Sequence, residues 1–294
     1  MEEWGERALV VKDPVVLSQP VRRLRGGSDP LLVKASDGCT YVVKFRENPQ
    51  GAQVLFNEAA GTALYRSLGL PVARWKALRV TQKFIDQYPA WWSAADGDTS
   101  TPRPGLCFAS LYLGGQESRV FEILPSARLK RVEGRELFWL AWLVDVCAQH
   151  SDNRQVLFVE QRQRTLKPFF IDHGHMFSGS ESGKHPHFCA SRYLDSRIYP
   201  PVTKDWSSCI GSLLHSKLET LWQEIRAIPN DWKCESYLRA FAVCLQTMSS
   251  PGALNANFEL LRGICQKMYG RESDDSRSRC SGAGAVLCSG VQVA

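Results

Sequence analysis

Two short apolar runs near the middle of the chain are each edged by an aspartate: "VLF" in "HSDNRQVLF" (150–158) and "PFFI" before "DHGHMF" (172–177). The charged, turn-like "EQRQRT" joins them. Two β-runs arranged this way suit a metal–phosphate site, and they also suit an ordinary hairpin with solvated ends. Asp152 has the chemistry to accept a proton from an attacking hydroxyl. Asn153 or Gln155 could offer a carbonyl oxygen to Mg²⁺, a hard cation that takes oxygen ligands. Asp172 is the natural carboxylate for that metal, and Gly174 keeps the turn after it narrow.

Three further groups bear on the choice. Lys44 sits in the strand-like "TYVVKF", and a helix containing Glu58 follows. A strand lysine oriented by a helix glutamate can grip phosphate oxygens. The small residues Ala59, Ala60 and Gly61 would let that helix approach a sheet closely. Before Lys44, "RLRGGSDP" places Gly26, Gly27 and Ser28 between two strands, where glycine backbone can turn amide hydrogens toward a phosphate or simply form a turn. Finally, His173, His175, His185 and His187 make two H-x-H pairs, the pattern of a zinc hydrolase or of loop histidines.

The elements that would position these residues fall into two halves. "PVVLSQPVRRL", "LLVKA" and "TYVVKF" read as strands separated by the turn signals "RGGSDP" and "SDG". In "VLFNEAAGTALYRSLGL" the apolar positions recur with helical period, and Gly69 with Pro71 ends the helix. "WKALRVTQKFI", "LCFASLYLGG" and "SRVFEIL" return to strand character around a polar loop at 93–105. Helices are predicted at about 133–149, 206–228, 232–248 and 254–269, with the Asp-edged hairpin embedded among them. Strands followed by helices indicate an α+β fold. The boundaries expected are a β-rich lobe at 1–125, a helical lobe at 126–270 and a disordered Ser/Gly-rich tail at 271–294.

The composition excludes several classes. A length of 294 residues can bury a substantial core, and a net charge of +6 suits an acidic ligand but is too mild to identify a nucleic-acid binder. The 10 cysteines are scattered, with no CxxC, which argues against a disulfide framework. The N-terminus lacks the pattern of a signal peptide, and "LFWLAWLV" is too short to cross a bilayer, so a reducing, cytoplasmic setting is expected.

Taken in order, Lys44, Glu58, "HSDNRQVLF" and "FFIDHGHMF" resemble the protein-kinase-like fold, and within it the HipA-like kinases of bacteria, over residues 15–250. "NEAAGTALYRSLGLPV" is similar to their helix after the lysine strand, and "FIDHG" to their metal-binding segment. The resemblance implies a two-lobed enzyme that uses ATP and Mg²⁺ to phosphorylate a hydroxyl of a protein or small molecule. Lys44 would bind the α- and β-phosphates, Glu58 would pair with it, Asp152 would be the catalytic base and Asp172 would bridge the metal. Gly26, Gly27 and Ser28 would lie over the nucleotide. The strand "FEILP" at 121–125, with Glu122, would run into the hinge that holds adenine. The chain departs from the pattern in three places: it has no G-x-G-x-x-G, it leaves only Asn153 and Arg154 between Asp152 and Gln155, and it has His173 where a Phe is usual. Gln155, directly before "VLF", is the favoured second metal ligand, with Asn153 the other choice. The short spacing also admits a nucleotide-binding pseudokinase that acts through a partner.

Overall fold

Burial alternates at the start of "TYVVK", because successive strand residues face opposite ways, while "LLVKA" is buried at every position but Lys34. In the computed structural model, which describes residues 14–92, 101–114, 119–177, 192–202 and 205–278 with side chains to Ile264, β1 (Leu17–Arg23), β2 (Leu31–Ala35), β3 (Thr40–Lys44), β4 (Trp75–Val80) and β5 (Gly105–Leu111) form one sheet. It has five strands in the order β1-β2-β3-β5-β4, with antiparallel neighbours. The start of β1 also meets β4: Val16 bridges Arg79, and the Arg79 amide donates to the Val15 carbonyl at 3.1 Å. That contact occupies backbone groups at both ends of the sheet, which would otherwise be open edges.

One face of this sheet, carrying Leu31, Val33, Tyr41 and Val43, packs with Phe84, Ile85 and Trp92 into a small apolar core. The expected strand "WKALRVTQKFI" stops short of that. It ends at Val80, because the Thr81 hydroxyl accepts the Phe84 amide at 3.1 Å and starts helix α2 (Gln82–Gln87) instead.

The other face meets α1 (Gln53–Ser67), whose residues Val54 to Tyr65 are all buried. A helix apolar or small on every side belongs inside, between two layers. Its Leu55, Phe56, Ala59, Ala63 and Leu64 join a core that runs on into α4 (Leu137–Cys147), α5 (Trp206–Ala227), α6 (Glu235–Ser249) and the first turns of α7 (Pro251–Ser278). A short α3 (Ser126–Leu129) precedes α4. Helix α7 extends through residues 271–278 of the stretch expected to be a disordered tail, and 279–294 lie outside the described residues.

Within this helical half, β7 (Gln155–Glu160) and β8 (Leu166–Ile171) form the hairpin legible in the sequence. The strand β6 (Val120–Phe121) pairs with β7 through Val120–Val159 and Phe121–Phe158, making a sheet of three strands. "FEILP" therefore begins on the hairpin's sheet, with Phe121 opposite Phe158. Phe170 of β8 also donates its amide to the Pro71 carbonyl at 2.9 Å, tying the hairpin to the exit of α1.

One of the small residues of α1, Gly61, serves a partner other than the sheet. A Cβ on Gly61 would lie 2.5 Å from the His173 Cβ and 2.7 Å from the Met176 sulfur, so Gly61 admits the turn after β8 rather than the sheet. Gly61→Ala should lower stability by about 1–3 kcal/mol through overpacking against a Cβ that cannot rotate away. Gly211→Ala, in α5 with nothing within 4 Å, should instead gain up to about 1 kcal/mol of helix propensity. Urea titration of the two variants measures both, and equal effects would refute the close approach.

Candidate active site

Strand alternation that turns Tyr41 and Val43 into the sheet's outer core turns Lys44 the other way, toward α1. There its ammonium is buried, with 7% of the residue exposed, and it donates to Glu58 from α1 and to Asp172 Oδ1 at 2.8 Å. Three separated stretches of sequence thus meet at one nitrogen. An ammonium carries three N–H donors, so a third remains for a ligand.

The hairpin register explains how Asp172 arrives. Gln155, the first residue of β7, is paired with Ile171, the last of β8, so the next residue on that side is Asp172. The Gln155 Nε2 donates to Asp172 Oδ2 at 2.7 Å. Asp172 itself takes a left-handed backbone, φ 59°, which a non-glycine residue keeps only when its surroundings hold it. Those surroundings are visible. The His173 amide donates to Glu58 Oε2 at 3.2 Å, and Asn57 Nδ2 donates to the Gly174 carbonyl at 2.8 Å. Space is short at Gly174, where a Cβ would stand 3.1 Å from Val54 and 3.3 Å from Glu58.

The electrostatics follow from sharing one ammonium between two carboxylates. Burial disfavours the charged Lys44, but Glu58 and Asp172 outweigh it and raise its pKa above the ordinary lysine value. Burial likewise works against the Asp172 anion, and Lys44 overcomes it, holding this carboxyl well below the usual range. At Glu58 burial, aided by the charge of Asp172, prevails over Lys44 and pushes the carboxyl upward. The two carboxyls are thus pushed in opposite directions, Asp172 toward the ionised form and Glu58 away from it.

Of the other expected site residues, Asp152 is half-buried in the loop between α4 and β7, and its Oδ1 accepts the Asn153 amide at 2.7 Å. Asn153 is exposed, while Gln155 is the amide that reaches Asp172. The shortened Asp152–Gln155 spacing thus still delivers an amide to the Asp172 carboxylate. Asp172 and Gln155 form an oxygen-bearing pair suited to a hard cation, since an amide can turn its carbonyl to the ion. Gly26 and Gly27 form the β1–β2 turn, with Gly26 at φ 150°; Ser28 beneath them is buried, and its carbonyl accepts from Asn48 at 3.1 Å. Glu122 is exposed just past β6, on the hairpin's sheet rather than on the sheet that carries Lys44.

The sequence reading missed the charges beneath this site. Arg154 is buried, bonded to Asp145 of α4 at 2.5 and 2.8 Å, and its guanidinium lies 5.0 Å over the Tyr65 ring. The Tyr65 hydroxyl donates to Asp145 at 2.6 Å. Asp145 is the one charged residue in "LFWLAWLVDVC", and a carboxylate inside an apolar helix needs a buried partner. That signal was in the sequence.

His173 turns inward as well, its ring 4.6 Å from Tyr65, instead of toward a surface metal. Among the described residues no group of three or more His, Cys, Asp or Glu is placed to hold a metal ion; His185 and His187 lie outside them.

A family model for HipA-like kinases matches residues 20–250. The chain belongs to the HipA-like kinase family. Among solved structures, the Helicobacter pylori proinflammatory kinase CtkA is similar in fold, with TM-score 0.50 and 12% identity over 83% of this chain and 97% of that one. A Golgi casein kinase with Mn/ADP bound aligns with TM-score 0.48 and 13% identity, over 80% of this chain and 72% of that one. No curated protein matches the sequence. This HipA-like kinase has the two-lobed α+β fold of its relatives, and its reaction class is phosphoryl transfer.

Two buried imidazoles beside the site should make the fold less stable in acid. Burial pushes His150 down from 6.5 to about 4, and burial pushes His173 well below 6.5, with Arg154 adding to both. His150 Nδ1 and His173 Nε2 have no hydrogen-bond partner among the described residues, which fits neutral rings. Below pH 6.5 and down to about 4, only the unfolded chain takes up these protons, so stability falls as pH falls through that window. Each histidine contributes about 1.4 kcal/mol per pH unit. Urea titrations across the window should show a His173→Phe slope shallower by that amount, and an unchanged slope would show that the imidazole is not held neutral.

Proposed function

We propose that this kinase transfers the γ-phosphoryl group of ATP, with Mg²⁺, to a hydroxyl of a protein or small-molecule acceptor. The observation that carries the reading is the Lys44 ammonium held jointly by Glu58 and Asp172, with Gln155 on the second oxygen of Asp172. A strand lysine fixed by a helix glutamate beside a metal carboxylate is the working arrangement of phosphoryl transfer.

In this reading Lys44 receives the α- and β-phosphates on its remaining N–H, and Glu58 keeps it aimed. Asp172 and Gln155 would hold Mg²⁺, which when bound neutralises phosphate charge. Asp152 accepts the proton of the attacking hydroxyl, from a loop whose far end is anchored by the Gln155 contact. The Gly26–Gly27 turn would lie over the nucleotide, and "FEILP" at 121–125, with Glu122, would run into the hinge that holds adenine. Catalysis is then mainly positioning and charge neutralisation. A reducing, cytoplasmic setting belongs to the same reading, supported by the free thiols of Cys107, Cys147 and Cys244. Among the described residues no helix is long and apolar enough to cross a membrane.

The test is titration of ATP with Mg²⁺ into wild type and Lys44→Ala, with ADP release followed on the same samples. Lys44→Ala should weaken binding by about tenfold or more, equivalent to about 1.4 kcal/mol. Asp152→Ala should lower turnover by about 10²–10⁴-fold, and Asp172→Asn should abolish Mg²⁺-dependent turnover while the fold persists. Wild-type turnover in Asp172→Asn would sink the assignment. Binding with no turnover in the wild type would instead support a pseudokinase.

A further inference from the structure

Arg154 stands in sequence between the proposed base Asp152 and the proposed metal ligand Gln155, yet its side chain is buried in the protein. Its contacts are specific. With Nε and Nη2 it grips Asp145, and with Nη1 it donates to the Ile171 carbonyl at 2.8 Å and the Asp172 carbonyl at 3.3 Å. The same nitrogen lies 3.4 Å from His173 Nδ1. These carbonyls flank the residue whose left-handed backbone turns its carboxylate to Lys44 and Gln155. The guanidinium is planar and cannot rotate freely: Asp145, itself held by Tyr65, fixes one edge, and the aromatic ring lies beneath it. Its own backbone is also anchored, the amide donating to the Arg192 carbonyl at 3.2 Å.

We propose that Arg154 is a positioning residue for the metal site: braced by Asp145 and Tyr65, it clamps the Ile171 and Asp172 carbonyls so that Asp172 presents its carboxylate to the cation. Resting on the phosphotransfer reading, this assigns Arg154 a role through Asp172 and no contact with substrate. Lysine cannot replace it, because one ammonium cannot span Asp145 and both carbonyls in the fixed fork geometry of a guanidinium.

The experiment measures Mn²⁺ binding in the presence of ADP, by loss of the free Mn²⁺ paramagnetic resonance signal, and ADP binding without metal, by calorimetry. Wild type, Arg154→Lys and the double variant Arg154→Met/Asp145→Leu are compared, all as full chains. Partners that orient a metal ligand are typically worth about 10–100-fold in metal affinity. Arg154→Lys should weaken Mn²⁺ by that factor while metal-free ADP binding stays within about twofold of wild type. The double variant removes both buried charges together, so it avoids an unpaired ion and keeps the fold even where the single variant does not. A merely structural Arg154 would therefore give wild-type Mn²⁺ affinity in the double variant, and that result overturns the proposal. Persistence of the metal defect in a stably folded double variant supports it. Absence of Mn²⁺–ADP binding in the wild type would overturn the phosphotransfer reading itself, an outcome separate from wild-type behaviour in the variants.

Discussion

A lysine ammonium at 7% exposure is the constraint around which the rest of the structure is arranged. Removing such a charge from water is costly unless carboxylates come to it. Here they come from two directions, Glu58 out of α1 and Asp172 from the end of β8, on residues 14 and 128 positions away in sequence. Satisfying one nitrogen therefore requires the first sheet, the helix behind it and the hairpin of the helical half to converge. The local features beside it, Gly61 without a side chain and Asp172 in a left-handed backbone, are what that convergence demands of the chain.

Beneath this exposed-side cluster lies a second, fully enclosed one. The Lys44 group has a carboxylate still partly open to solvent, Asp172 at 23% side-chain exposure, whereas the Arg154–Asp145 pair is sealed, at 2% and 0%. The difference matters chemically. A sealed pair with all its groups bonded has no capacity for a ligand and defines geometry, while a partly open carboxylate with an amide beside it can exchange those partners for a cation. In the proposed reading one layer would hold shape and the next would bind, with the Asp172 backbone carbonyl bonded into the first and its carboxylate into the second.

Much of this was legible in the sequence because it is local. The alternation in "TYVVK" and the helical period after it give Lys44 and Glu58 their elements, and the charged turn between two apolar runs gives the hairpin. The pairing of Gln155 with Asp172 follows once that hairpin closes with Gln155 opposite Ile171. What escaped depends on contacts between distant segments. Gly61 reads as a helix residue that helps sheet packing, and only the approach of His173 shows otherwise. "VTQKFI" has strand composition, and a single Thr81 hydroxyl converts its second half to a helix. Whether "VF" belongs to the first sheet or to the hairpin's is a matter of which edge it finds, which no local pattern encodes; it finds β7. Asp145 and Arg154 were each conspicuous, one charge in an apolar helix and one in a polar loop, but nothing short of the fold pairs them.

The packing of α1 then decides how the site is held together. The helix is buried along Val54–Tyr65, with Phe56 against Tyr237 of α6, Arg66 paired to Glu224 of α5, and Tyr65 under the Arg154 guanidinium. Its Glu58 cannot leave Lys44 by a movement of α1 without opening apolar contacts on every face at once. The lysine–glutamate link is consequently no loose latch on a mobile helix: the same core that folds the helical half fixes it. In the proposed reading a nucleotide would find Lys44 and Glu58 already assembled, and the groups left to adjust would be the Asp172 carboxylate and the amide of Gln155.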